Sequence, residues 1–263
     1  MKFNTKCVHG SGRPDSTGAI SPAIYMSSTF SHPKLGDTTG YQYTRESNPT
    51  RDRLEQLIAG LEDGKDALAF SSGMAAVDAV FHLFSPGDHI ILGDDLYGGS
   101  IRMFTNIYEQ NGIEFTYVGT SDLDAVKAAF KPNTKAVYIE TPTNPMMEIT
   151  DIRALCTLAH ERNALVIIDN TFLSPYFQKP LTLGADIVVH SGTKFIGGHH
   201  DVISGFTIVK DDELAAKLRL TYKTVGACLS AMDSWLVIRG VKTLALRMEQ
   251  HQKNAIALAE WLK

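Results

Sequence analysis

The sequence predicts an α/β fold built on a mainly parallel seven-stranded sheet with helices on both faces. Three observations lead there. Seven short, β-rich apolar runs recur along the chain: "ALAF", "HIIL", "EFTYV", "AVYI", "ALVIID", "DIVV" and "GFTIV". Helix-length amphipathic stretches at 74–84, 100–111, 122–130 and 151–162 separate several of them, and strands alternating with helices form parallel sheets covered on both sides. The 263 residues, 44% of them hydrophobic, are enough for a sizeable buried core.

Taken in order, residues 1–60 are rich in Ser, Thr, Pro and Gly ("SGRPDSTGAISPAIYMSSTFSHP") and show no sustained period. They are expected to form an extended arm of the kind that lies across a neighbouring subunit. From 61 to 246 the strand–helix alternation predicts one α/β domain, whose ligand would sit beyond the carboxyl ends of its strands. The final stretch, "VKTLALRMEQHQKNAIALAEWLK", keeps helical spacing to Lys263 without a Gly, Asn or Pro stop signal. Residues 247–263 are therefore expected to begin a C-terminal domain that is otherwise missing.

Composition removes several function classes. Charged residues make up 21% of the chain and the net charge is −4, so no basic surface points to nucleic acid. The N-terminus "MKFNTKCVHGSGRPDSTG" has no apolar signal core, and no run approaches the ~18 apolar residues of a membrane span; a cytoplasmic location without membrane contact is expected. Cys7, Cys156 and Cys228 are odd in number and far apart, which suits reduced thiols rather than a disulfide framework. His199-His200-Asp201 offers adjacent side chains that rarely ligate one ion together, with no spaced third ligand. No metal is expected, and His199 is read as loop architecture.

The stretch 186–194, "DIVVHSGTK", carries two chemistries. Read as S-x-x-K, Ser191 would be a nucleophile activated by Lys194, a serine acyl-enzyme, and a helix should start at the serine. S-D-N and K-T-G are absent, and the lysine follows an apolar strand and precedes a glycine-bearing loop. The other reading is a lysine that forms a Schiff base with pyridoxal 5'-phosphate. That cofactor makes further demands. An anion for its ring nitrogen is offered by Asp169, which ends "ALVIID", although an acid there also suits a helix cap. A phosphate cradle is offered by "FSSGMAAVDAVFHLF", where Gly73 and Met74 would open a helix. Ser191 and Thr193 add hydroxyls, and Tyr97 in "DDLYGGS" offers a ring to stack on.

With these residues assembled, the chain resembles the cystathionine and methionine metabolism group of pyridoxal-phosphate enzymes: cystathionine γ-synthase, cystathionine β- and γ-lyases and methionine γ-lyase. The match runs from the arm to Lys263, and "DIVVHSGTKFIGGH" follows the group's lysine signature residue for residue, with Gly192 where relatives often have Ala, a change expected to matter little. The resemblance implies the fold type I, aspartate aminotransferase-like architecture. It implies Lys194, Tyr97 and Asp169 as catalytic residues, a phosphate cup of Gly73, Met74, Ser191 and Thr193, and Asn144 of "ETPTNP" near the ring hydroxyl. From "YQYTRESNPT" it implies that Tyr43 and Arg45 reach the phosphate of a neighbouring subunit, in a homotetramer arranged as a dimer of dimers with shared active sites. Arg102, five residues after Tyr97, matches a substrate-carboxylate arginine, and with Gly99, where methionine γ-lyases carry Cys, it favours a cystathionine-like sulfur amino acid. The expected reaction is transsulfuration C–S cleavage by β- or γ-elimination, with γ-replacement on O-acyl homoserine as the alternative. Because the group's chains are half as long again and bind the substrate α-carboxylate downstream, this stretch alone is expected to be a poor catalyst or a cofactor-binding fragment.

Overall fold

The computed structural model describes residues 1–10, 12 and 16–263; the predicted arm at 11 and 13–15 lies outside them. All seven predicted strands form: β1 Asp66–Phe70, β2 His89–Gly93, β3 Glu114–Val118, β4 Thr134–Glu140, β5 Leu165–Asp169, β6 Ile187–Ser191 and β7 Gly205–Val209. Their order in the sheet is β1-β7-β6-β5-β4-β2-β3. β2 to β6 pair in parallel, whereas β7 runs antiparallel to both β1 and β6. The reversal has a local cause. Residues 192–204 join β6 to β7 through turns without a crossover helix, and a parallel neighbour needs such a crossover. The carboxyl ends of β1, β4, β5 and β6 and the start of β7 therefore share one edge of the sheet.

The helices are α1 Phe3–His9, α2 Pro49–Leu61, α3 Gly73–Phe81, α4 Gly98–Met103, α5 Leu123–Ala129, α6 Ile152–His160, α7 Ser174–Phe177, α8 Pro180–Leu183, α9 Asp212–Val225, α10 Ala231–Val241 and α11 Leu244–Leu262. A π turn at Phe104–Tyr108 continues α4. Continuous apolar strands covered on both faces split by period two. Ile90, Leu92, Tyr138 and Ile167 face a core shared with Phe81 and Phe104, whose rings stack at 4.3 Å. Ile91, Val137, Ile139, Val166 and Ile168 turn the other way, onto α6 through Leu155 and Ala159. A third cluster packs α2, α10 and the start of α11 against Ala67, Ala69, Val188 and Ile208. Each fully buried large apolar side chain contributes roughly 1.5–3 kcal/mol, so the sheet edge rests on a rigid base.

Two boundaries differ from expectation. The arm does not extend to residue 60: α1 lies within it, and α2 begins at Pro49 with the Asn48 side chain accepting from the amides of Thr50 and Arg51. Asn-Pro followed by Asp52 is a readable helix start, masked by the polar composition before it. At the other end, α11 is continuous across the boundary drawn at 246/247; Leu244, Ala245 and Met248 are buried and residues 251–263 are exposed. Among the described residues, no helix is long and apolar enough to cross a membrane.

Candidate active site

The shared edge gathers most of the singled-out residues into a closed circuit. Glu140 and Asp169, the last residues of β4 and β5, are register partners. Glu140 Oε2 accepts from the Tyr97 amide at 3.2 Å, fixing the residue that precedes α4. The Tyr97 ring lies against Gly99, where an added Cβ would run into it and also approach Met74 Sδ. Gly73, the first residue of α3, backs onto Ser191: a Cβ there would lie 2.9 Å from Ser191 Cβ. Ser191 donates its amide to Thr171 Oγ1 at 2.8 Å, and the Thr171 amide in turn donates to Asp169 Oδ1 at 3.0 Å. The circuit closes on the acid where it began.

Electrostatics inside this circuit favour a cation on one side and an anion on the other. Burial pushes the Asp169 carboxyl upward, against the opposing pull of the Thr171 hydrogen bonds, the nearby His190 and the Tyr138 hydroxyl 3.5 Å away. Burial likewise pushes Glu140 up to about 8, and the charge of Asp169 adds to the rise. Two desolvated acids at adjacent strand ends hold charge easily only when a cation joins them. Opposite them, the amides of Gly73 and Met74 have no acceptor among the described residues. They open a nine-residue helix whose next amide is already capped by Ser72 Oγ at 3.0 Å, leaving two donors at a positive helix end. A Cβ at Gly73 would fill that cradle. The donor set fits pyridoxal phosphate, a ring cation joined to a phosphate.

Lys194 sits three residues past the end of β6 and is exposed, in a loop of turns from 192 to 197. Because β6 ends at Ser191 and no helix starts there, the S-x-x-K geometry is not formed. Thr193 Oγ1 donates to the Ser204 carbonyl at 3.2 Å and accepts from the Ser204 amide at 3.1 Å, so its hydroxyl proton is engaged. Gly192 matters more than its sequence suggests. A Cβ there would overlap the buried Phe206 ring and Ser204 Oγ, which corrects the expectation that alanine is equivalent in this chain. His199 is indeed loop architecture, its Nδ1 donating to the Gly197 carbonyl at 2.8 Å.

Other predicted residues stand apart from the circuit. Asn144 is exposed just beyond β4, and Arg102 is exposed on α4. Tyr43 and Arg45 lie in the arm, the guanidinium 5.2 Å above the Tyr43 ring and hydrogen-bonded to the Lys223 carbonyl. Neither contacts the circuit within this chain. Sequence reasoning missed Glu140 and Thr171. Glu140 carried the same signal as Asp169, an acid ending an apolar run ("AVYIE" beside "LVIID").

Comparison with known proteins agrees with this geometry. A family model described as Cys/Met metabolism PLP-dependent enzyme matches residues 4–263. Cystathionine gamma-lyase of Bacillus subtilis is 50% identical over all of this chain and 70% of its own length. Cystathionine beta-lyase of Lactococcus lactis is 50% identical over 99% of this chain and 69% of its own. The crystal structure of cystathionine gamma-lyase from Lactobacillus plantarum, complexed with L-serine, superposes with a TM-score of 0.97 at 50% identity, covering all of this chain and 69% of that one.

Proposed function

This chain belongs to the Cys/Met metabolism PLP-dependent enzyme family, and on that premise we propose how its own residues divide the work of breaking a carbon–sulfur bond in a cystathionine-like amino acid. The observation that carries the proposal is the closed circuit from Asp169 through Tyr97, Met74, Gly73 and Ser191, with Lys194 on the loop leaving it. Pyridoxal phosphate, when bound, supplies an electron sink that stabilises negative charge at a substrate Cα.

The amides of Gly73 and Met74 and the Ser191 hydroxyl bind the phosphate. Asp169 holds positive charge on the ring nitrogen, and a cation there lowers the cost of its own burial. Lys194 would hold the cofactor through Nζ, and the same amine is the base that would take the substrate Cα proton. Tyr97 would offer its ring to the cofactor and move protons through its hydroxyl, a task that phenylalanine would not perform. Gly99 leaves room for that ring. Arg102, exposed on the helix that Tyr97 begins, receives a distal substrate carboxylate, which favours a dicarboxylic substrate. Thr193 supports the loop through Ser204, and Asn144 approaches the ring hydroxyl.

The arm completes the site in trans. Ile20, Met26, Leu35 and Tyr43 are exposed in the single chain, and an arm carrying apolar side chains outward suits a second copy. Tyr43 and Arg45 then reach a neighbour's phosphate, Arg45 by a two-pronged grip, within a homotetramer of shared sites in the cytoplasm.

An absorbance scan of the cofactor-supplemented protein tests the reading. A visible band that borohydride removes, and that Lys194→Ala never shows, is expected; its absence from the wild-type protein overturns the proposal. Product analysis with cystathionine, and with O-acyl homoserine plus cysteine, then separates elimination from replacement.

A further inference from the structure

We propose that Arg247 is a positioning residue for Lys194, holding the lysine loop in the conformation that presents the amine. The inference rests on the assignment of Lys194 as the cofactor lysine and adds a residue that touches neither cofactor nor substrate.

The loop has no helix or strand to fix it, yet all four carbonyls from 194 to 197 are engaged. The Lys194 carbonyl accepts from the Gly198 amide at 2.9 Å, and the Gly197 carbonyl from His199 Nδ1 at 2.8 Å. The two between them belong to Arg247: Nη1 donates to Phe195 O at 2.6 Å and Nη2 to Ile196 O at 3.5 Å. Nη2 also donates to Gly240 O at 3.1 Å, and Nε to Thr243 Oγ1 at 3.0 Å. One planar guanidinium thus joins the loop to the corner between α10 and α11. Lysine has no such fork.

Backbone clearances around the fork point the same way. Gly198 adopts φ +69°, and a Cβ on it would overlap the guanidinium. Gly240 faces the loop from α10, and a Cβ there would overlap the Gly197 carbonyl. Both glycines are required because the arginine and α10 approach the loop backbone directly. Anchored on the core through its neighbours Leu244, Ala245 and Met248, Arg247 holds the loop to a rigid element, and small misplacements of a reacting group are costly.

The test compares Arg247→Met, Arg247→Lys and the milder Thr243→Val with Met248→Ala, a neighbouring core change that leaves the fork intact. Two readouts do not depend on turnover: the rate at which cofactor-stripped protein captures pyridoxal phosphate, and the circular dichroism of the visible band. Capture slowed by about ten- to a hundredfold in Arg247→Met, less in Arg247→Lys and Thr243→Val, with the dichroism reduced in the same order, is expected. Met248→Ala should melt earlier yet capture at the wild-type rate. If the fork variants that fold melt earlier but match wild type in both readouts, or if Met248→Ala slows capture as much as they do, Arg247 is only structural and the inference falls. A wild-type protein lacking the band would instead overturn the assignment of Lys194.

Discussion

The lysine loop, 191–198, and the arm, 16–48, are both irregular and rich in small polar residues, but they are held in opposite ways. Every carbonyl from 194 to 197 in the loop has a partner inside the chain, and Gly192, Ile196 and Gly197 are buried. The arm is pinned at intervals. Trp235 Nε1 donates to Pro22 O, Asn48 Nδ2 to Tyr25 O, and the buried Arg51 to Thr44 O between Tyr43 and Arg45. Around these pins Ile20, Met26, Leu35 and Tyr43 face outward, while Phe30 and Tyr41 pack against each other. An irregular segment is made precise by partners for its backbone polar groups, not by regular structure; a segment pinned only at intervals leaves side chains uncovered.

Substitutions can break or sharpen this contrast. The largest effect belongs to the fixed side: Lys194→Ala should abolish the visible band and turnover while leaving stability within ~0.5 kcal/mol by denaturant unfolding, because the side chain is exposed. Asp169→Asn should lower kcat by about 100- to 1,000-fold through lost charge stabilisation, read by steady-state assay on protein that still binds cofactor. On the arm, Arg45→Ala should weaken cofactor binding by about ten- to a hundredfold, the worth of a hydrogen bond to a charged group, measured by titration. Mixing Arg45→Ala with Lys194→Ala chains should recover activity if sites are shared between subunits. No recovery would return Arg45 to the loop's own category, acting within one chain.

Smaller effects probe the scaffold. Gly192→Ala should lower stability by about 1–3 kcal/mol through overpacking against Phe206, measured by denaturant unfolding. A pH effect at Glu140 probes the strand end. Its folded value of about 8 lies above the usual 4.5, so between those values the folded chain holds a proton that the unfolded chain has released. Its stabilising contribution is full below about pH 4.5 and declines as pH rises through 8. Glu140→Gln should therefore raise Tm relative to wild type at pH 9 and leave it nearly unchanged at pH 4.

The strands were legible because buried parallel strands are short apolar runs, and the lysine segment because its signature is contiguous. The start of α2 was written in "SNPTRD", but the Ser-, Thr- and Gly-rich stretch before it, without a sustained period, dominates a reading by composition. Glu140 ends its strand as Asp169 does, and nothing local shows that it receives the Tyr97 amide. Arg247 lies fifty-two residues beyond Phe195, on a helix that reads as an ordinary amphipathic surface.

By itself the sequence determined which chemical groups exist and which elements carry them: a lysine and a serine leaving β6, an acid ending β5, a glycine opening α3, a tyrosine before α4. Those are properties of contiguous residues, set by propensity, patterning and turn chemistry. Tertiary structure alone decided that Glu140 stands beside Asp169, that Gly73 backs onto Ser191, that Gly192 has no room for a methyl group, and that Arg247 grips the loop. Each of these depends on register and close packing between segments distant in the chain, and a shift of one residue in a strand would have turned the same side chains to the opposite face.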